Sequence, residues 1–299
     1  MKQKNPLMYR VSQLVSLLIG ARIFMLLLFT FALYVSTFFI INQEETLKQF
    51  VFDYKIHGII FCSLLSIAAG GIINQFYDLE KDRIQKPFVT KLQGFLKQKY
   101  FLYSYVLLNL FSLGIAYILS PRIFVFFLVY QFLMWFYSHK VSKFVVLNNL
   151  MFVSLTLYPF FGMLVYYQHF SLNLFLMAAF LFLILLVVDI LKDFLTLRAD
   201  VLFDYKTMPI VFGVRNTSTL VAVLLVLTMM VGLGIVMRIQ SFNYLTFYFG
   251  SSTLVLLLAC LRVAHVRLAR IPLLLNTLRV WIFIGVLFML ANGIYEKLH

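Results

Sequence analysis

Two carboxylates, Asp78 and Asp82, stand four residues apart, with Asn74 four residues before the first. On a helix turning about 100° per residue, positions i, i+4 and i+8 drift only ~40° per step and share one face. Like charges at that spacing repel by a few tenths of a kcal/mol on an isolated helix. A chain that sets them beside apolar sequence needs a compensating cation, and oxygen ligands suit Mg²⁺. Taken alone, the stretch also reads as a solvated, acidic helix end with two basic residues nearby. A second window holds Asp189, Lys192, Asp193, Thr196, Asp200 and Asp204. With Asp193 as reference, Asp189 lies at about −40°, Thr196 at about −60°, Asp200 at about −20° and Asp204 at about +20°, if the helix continues that far. Seven of the eleven acidic residues fall in these windows: Asp78, Glu80, Asp82, Asp189, Asp193, Asp200 and Asp204. Random decoration of loops does not concentrate acids in this way.

Carboxylate-held Mg²⁺ ions clamp the oxygens of a diphosphate and neutralise it as a leaving group. If the remainder of the substrate is a lipid tail, the reaction belongs where tail and polar acceptor meet. An allylic diphosphate ionises to a carbocation, which aromatic faces stabilise and from which water must be kept. Thirty-four Phe and seventeen Tyr leave room for such a pocket, although most of them serve as lipid-facing or packing residues.

The elements that must position these residues are membrane spans. The chain has 299 residues, is 63% hydrophobic and 18% aromatic, and has a mean hydropathy of +0.96. That composition specifies a polytopic all-α membrane protein and excludes a soluble enzyme. A net charge of +14 would suggest nucleic acid in a soluble chain. Here the basic residues sit in short loops between apolar runs, so topology and anionic headgroups account for them and no nucleic-acid partner is expected. Cys62 and Cys260 both fall in apolar runs and read as buried free thiols. Crossing ~30 Å takes about 20 apolar residues, which gives nine candidates near 17–41, 56–76, 100–119, 122–138, 144–167, 171–192, 217–237, 243–265 and 275–295. The first run is too long for a signal-peptide core and lacks a convincing small-residue cleavage site, so it reads as span one.

With the N-terminus in the cytosol, nineteen Lys and Arg collect on that side, including Lys2, Lys4 and Arg267, against Lys48, Lys55, Arg122, Arg238 and Lys297 on the other. Both acidic windows then face the cytosol, and Glu44, Glu45, Asp53 and Glu296 lie outside. The first window closes span two and the second closes span six, each opening a long loop. The natural parse is two four-helix halves plus a ninth helix, a parallel duplication, within a single domain over 1–299.

The first window resembles the N-x-x-x-D-x-x-x-D signature of the UbiA superfamily of intramembrane prenyltransferases, continued by Arg83-Ile84-Gln85-Lys86-Pro87. The second is similar to that family's K-D-x-x-D-x-x-x-D segment with a downstream T-L-P-[IV]-x-x-G, here Lys192-Asp193 to Asp200 and Thr207 to Gly213. The resemblance implies a helical bundle that transfers a prenyl group from an isoprenyl diphosphate to an aromatic or polyol acceptor, with Mg²⁺ as cofactor. Carried over residue by residue, it implies Asn74, Asp78 and Asp82 at one metal and Asp193 and Asp200 at the other. Asp189, an additional carboxylate where some members carry Glu, joins them as an expected metal ligand. Asp78, Asp82, Asp193 and Asp200 are then catalytic, with Asn74, Arg83, Lys86, Tyr137, Lys140 and Lys192 as diphosphate contacts. Tyr137 and Lys140 equally read as an interfacial aromatic and a topology lysine, and Arg22 as a phosphate contact or a snorkelling side chain.

The chain departs from the family pattern at four places. Thr196 replaces the usual middle carboxylate, Asp204 stands where Gly is common, Val89-Thr90 replace Arg-Pro, and Asp189 is added. The K-D and T-x-P-I-V segments lean towards members acting on glycerol-phosphate ethers. Two other readings remain. A CDP-alcohol phosphotransferase shares Mg²⁺ and Asp clusters, but its D-G and A-R elements are missing. A cation-coupled transporter would place its carboxylates nearer mid-membrane. The expected location is a bacterial inner membrane with the active site facing the cytosol.

Overall fold

The computed structural model describes residues 6–42, 46–239, 241–264 and 270–298, and among them all regular structure is helical. The chain divides into two compact units, Met1–Leu33 with Thr46–Ser142 and Tyr34–Glu45 with Lys143–His299. Nine helices among the described residues are long and apolar enough to cross a membrane, which makes this an integral multi-pass membrane protein. Lys2, Lys4, Glu44, Glu45 and Arg267, used above in the charge distribution, lie outside the described residues.

The first unit contains α1 (Pro6–Gly20), most of α2 (Ile23–Ser36), α3 (Leu47–Phe52), α4 (Tyr54–Gln85), α5 (Pro87–Gln93), α6 (Gln98–Leu119) and α7 (Pro121–His139). The expected first span does not start at residue 17. The chain breaks at Ala21–Arg22, where Arg22 adopts φ 54° and its N–H donates to the Ile19 carbonyl at 3.0 Å. A non-glycine residue in that conformation ends α1, so Arg22 stands exposed at the entry to α2 instead of five residues inside a span. Asp53 opens α4 by accepting hydrogen bonds from the Lys55 and Ile56 N–H groups at 2.8 and 3.4 Å, a capping role that explains this acid without chemistry.

At ~1.5 Å per residue, the 32 residues of α4 run ~48 Å, well beyond a ~30 Å hydrocarbon layer. The first acidic window is therefore helical to Gln85 and does not begin a loop at 77. Inside the unit, the Ser66 and Ser112 hydroxyls lie 3.1 Å apart, Gln131 donates to Ser66 at 3.2 Å, and the Cys62 thiol donates to the Ser112 carbonyl at 3.3 Å. Small polar side chains of this kind let apolar helices approach closely and hold register. A Cβ on Gly71 would sit 3.1 Å from the Gly20 carbonyl, so the end of α1 packs on α4 one turn before Asn74.

The second unit contains the π-helical turn Thr37–Ile41, α8 (Leu147–Tyr167), α9 (Leu172–Leu202), α10 (Met208–Val211), α11 (Gly213–Ile239), α12 (Tyr244–Ala264) and α13 (Ile271–Leu298). Ser171 caps α9, its hydroxyl accepting from the Leu174 N–H at 3.2 Å. The unit packs around Phe180, Ile184, Val187, Val221, Leu225 and Phe249. Phe249 meets Phe180 edge-on at 5.1 Å, Tyr248 stacks on Trp281 at 5.6 Å, and the Trp281 indole donates to the Ser252 hydroxyl at 2.8 Å.

Phe249 is 1% exposed at the centre of this cluster. Truncating a buried Phe to Ala costs about 3–5 kcal/mol, so Phe249→Ala should lower the thermal midpoint of the detergent-purified protein by several degrees. An unchanged midpoint would mean that the aromatic cluster is not the packing centre of this unit.

Candidate active site

In the second unit, the 31 residues of α9 carry the acidic window without interruption from Asp189 to Asp200. The three carboxylates are almost completely buried, at 3% exposed for Asp189, 5% for Asp193 and 0% for Asp200. Their expected common stripe is therefore present up to Asp200. It stops there: α9 ends at Leu202, Asp204 turns out exposed with φ 60°, and the stripe does not extend to it. The downstream T-x-P-I-V-x-x-G segment builds this exit. Thr207 precedes the short α10, Pro209 sits in its first turn, where a missing N–H is harmless, and Gly213 has φ 81° at the start of α11.

Buried carboxylates need donors. Asn149, 1% exposed in the first turn of α8, donates its amide to Asp189 at 2.9 Å and to Asp193 at 3.0 Å. Lys192, half-exposed, pairs with Asp189 at 3.2 Å and lies 5.0 Å from the centre of the Phe152 ring. Thr196 donates its hydroxyl to Asp200 at 2.5 Å. The residue in place of the middle carboxylate thus supplies a donor to its neighbour on the stripe. The chain pointing Asn149 inward is itself constrained. Val146 has φ 67° and ψ −54°, and the Leu147 N–H donates to the Val145 carbonyl at 2.7 Å. This three-residue turn is rare and strained, most of all for a β-branched residue.

In the first unit, Asn74 donates its amide to Asp78 at 3.0 Å, while Asp82, one turn on, pairs with Lys86 at 3.1 Å. These residues are half-buried or exposed, as is Arg83. Tyr137 is half-buried near the end of α7, and Lys140 follows it in the open. Between them, His139 has Nδ1 3.2 Å from the Tyr77 hydroxyl and its ring stacked on Trp135 at 5.3 Å.

Sequence reasoning passed over Asn149 and His139. A polar amide in an apolar run is a signal in principle, but Asn148 and Asn149 are adjacent and periodicity does not choose between them. His139 reads as one more basic residue at a span end.

Mg²⁺ prefers oxygen donors, keeps several waters and takes one or two carboxylates together with substrate phosphates. The second-unit cluster fits that demand. Asp189 and Asp193 share the Asn149 amide, the Lys192 ammonium pairs with Asp189, and the Asn149 carbonyl oxygen is buried with no hydrogen-bond partner. Among the described residues no group of three His, Cys, Asp or Glu side chains is placed to hold a metal ion by itself.

The sequence profile of the UbiA prenyltransferase family matches residues 47–283, most of the chain and both acidic windows. The chain belongs to the UbiA prenyltransferase family. It is 29% identical over 179 residues to the digeranylgeranylglyceryl phosphate synthase of Methanosphaera stadtmanae, a match covering 59% of this chain and 65% of that protein. It is 28% identical over 183 residues to the enzyme of the same name from Thermococcus sibiricus, covering 57% and 64%. The chain thus spans just under two thirds of the length of these curated relatives. In fold it resembles a solved digeranylgeranylglyceryl phosphate synthase, with a TM-score of 0.70 and 17% identity over 95% of this chain and 99% of that one. A UbiA homolog from Archaeoglobus fulgidus, solved with GPP and Mg²⁺, gives a TM-score of 0.68 at 14% identity over 93% and 99%. At these identities the solved structures speak for the fold.

Hydrogen bonds to charged groups contribute roughly 1.5–3 kcal/mol each, and the Asn149 amide makes two to the buried carboxylates. Asn149→Ala leaves Asp189 and Asp193 without that donor, so it should lower the thermal midpoint of the metal-free, detergent-purified protein by several degrees. An unchanged midpoint would mean that this amide does not satisfy the two carboxylates.

Proposed function

We propose that this protein transfers a prenyl group from an isoprenyl diphosphate to a lipophilic polyol acceptor of the glycerol-phosphate ether kind, within one UbiA-like prenyltransferase domain over 1–299. The carrying observation is the pair of buried carboxylates, Asp189 and Asp193, joined by Asn149 on an over-long apolar helix of a UbiA family member. The names of the archaeal relatives support the polyol acceptor over an aromatic one, and the homolog solved with GPP and Mg²⁺ supports a metal-dependent diphosphate substrate.

In this reading, Asp189, Asp193 and Asp200 in one unit, and Asn74, Asp78 and Asp82 in the other, are the Mg²⁺ ligands. Bound there, Mg²⁺ supplies charge neutralisation of the departing diphosphate. Arg83, Lys86, Tyr137, Lys140 and Lys192 bind diphosphate oxygens and orient the prenyl carbon. Lys86 and Lys192 are already held beside Asp82 and Asp189, so each is positioned to exchange a carboxylate partner for phosphate. The bond from the prenyl carbon to the diphosphate oxygen breaks with its electron pair on diphosphate. A new carbon–oxygen bond forms to the acceptor hydroxyl, which releases its proton.

The carboxylate-bearing ends of α4 and α9 belong, on the charge distribution, to the cytosolic side of the cytoplasmic membrane. The named relatives are archaeal, so a bacterial inner membrane gains no support from them.

Asp78→Ala, Asp82→Ala and Asp193→Ala should each reduce Mg²⁺-dependent diphosphate release by roughly a thousandfold, about 4 kcal/mol of transition-state stabilisation, while eluting as folded protein in detergent. Near-native turnover in any two would overturn the assignment. For topology, Phe88 is 72% exposed just after α4. In intact cells a cysteine introduced by Phe88→Cys should resist a membrane-impermeant maleimide and react only after the membrane is opened. Reaction from outside would reverse the orientation.

A further inference from the structure

α1 is inside out for a helix of a folded protein. Val11, Leu14, Val15 and Leu18 recur at i, i+3, i+4 and i+7 and so share a stripe about 100° wide. That stripe is exposed, at 52%, 57%, 40% and 38%. The inward side is polar or small. Ser16, about 100–160° around the helix from those four, is 0% exposed and donates its hydroxyl to the carbonyl of Leu92 in α5 at 2.7 Å. Gly20 is buried too, against Gly71 of α4. A helix on a surface that faces water turns the other way, with its apolar stripe to the core.

Length and position say what covers the stripe. The 15 residues of α1 extend ~22 Å, too short for a ~30 Å hydrocarbon layer. Ile23–Ile41, directly after it, already supplies a span of 19 residues, and the break at Arg22 keeps α1 from being its straight continuation. The Gly20 end of α1 meets α4 one turn before Asn74, where about 20 residues of α4 have already crossed the hydrocarbon. That end of α1 therefore sits at the membrane surface on the side of the first acidic window. Exposed apolar surface resumes at once in α2 with Phe24 and Met25, at 81% and 66%, so the stripe adjoins surface that the span gives to lipid. Arg10, exposed on the flank of the stripe, and Arg22, exposed past its end, are placed to reach headgroup phosphates by snorkelling.

We propose that α1 is a membrane-surface helix, lying in the plane of the phospholipid leaflet beside the first acidic window with Val11, Leu14, Val15 and Leu18 among the acyl chains. An amphipathic helix in this position buries its apolar face ~5–10 Å into the boundary between headgroups and chains. Through the Ser16–Leu92 hydrogen bond and the contact of Gly20 with Gly71, it holds α5 and the end of α4 at a fixed depth. Where the chain meets lipid is independent of the reaction assigned to the carboxylates.

The test is a nitroxide depth measurement on the full chain in vesicles of phosphatidylcholine and phosphatidylglycerol. Val11→Cys, Leu14→Cys, Val15→Cys and Leu18→Cys are labelled one at a time, and the parent chain, with Cys62 buried and Cys260 half-buried, gives the background. Collision rates with oxygen, which partitions into lipid, and with a water-soluble nickel chelate report the depth of each label. The expected result is oxygen collisions severalfold above nickel collisions at all four positions, with the same depth at Val11 and Leu18. A helix that plunges into the bilayer would separate those two by ~10 Å, seven residues at ~1.5 Å each, and would overturn the proposal. Dominant nickel collisions would put the stripe in water and overturn it as well. Low rates with both reagents would mean that protein, such as a second copy of the chain, covers the stripe instead of lipid. Four separate positions fix the slope even where one variant fails to fold.

Discussion

A carboxylate moved from water into an apolar helix bundle loses several kcal/mol of hydration unless charge and hydrogen bonds replace it. The second unit carries three such groups on one helix, at Asp189, Asp193 and Asp200, and much of its local architecture answers them. The Asn149 amide is spent on two of them and the Thr196 hydroxyl on the third. The strained turn at Val146 delivers the start of α8 to the place where that amide is needed. The Lys206 N–H donates to the Lys143 carbonyl at 3.3 Å, tying the segment before α8 to the segment after α9. Under the proposed function, carboxylates left short of positive charge suit a divalent cation with phosphate attached.

The first unit handles its acids differently. Asp78 and Asp82 are only half-buried, so water contributes to their solvation and no strained turn is needed. Asn74 repeats the theme of an amide donating to a carboxylate one turn away on α4, and Lys86 neutralises Asp82. Exposed pairs of this type contribute little to stability. Under the proposed function their value lies in being exchangeable, since a lysine lightly held by a carboxylate is free to turn to a phosphate.

Helix length links these sites to the membrane. α4 and α9 both exceed the ~30 Å layer by about ten residues or more; α4 carries its acids in the excess, and α9 carries Asp193 and Asp200 there with Asp189 one turn inside. Continuing a helix keeps backbone donors and acceptors satisfied while the chain leaves the apolar layer. A loop at the same depth would have needed other partners. The continuation also fixes the angular register of the carboxylates. One face of α9 can therefore serve Asn149 while another packs Leu191 and Phe194 into the apolar core of the unit.

By itself the sequence determined the class, the span count and the acidic stripes, because hydropathy runs and i, i+4 spacing are local properties that survive without tertiary context. It also carried enough of the two motifs to indicate the family. Where spans begin and end was less legible. Arg22 breaks the first run through a backbone conformation that hydropathy does not register, and Asp204 leaves the stripe because α9 stops at Leu202. Only the tertiary structure decided what meets the buried acids. Asn149 lies forty residues from Asp189, and of two neighbouring asparagines the one that turns inward is selected by the turn at Val146. Thr196 reads in the sequence as a missing charge and in the fold as a hydrogen-bond donor to Asp200. The difference arises because a charge count is additive along a chain, whereas the solvation of a buried group depends on the few atoms within 3 Å of it, and packing alone brings those atoms there.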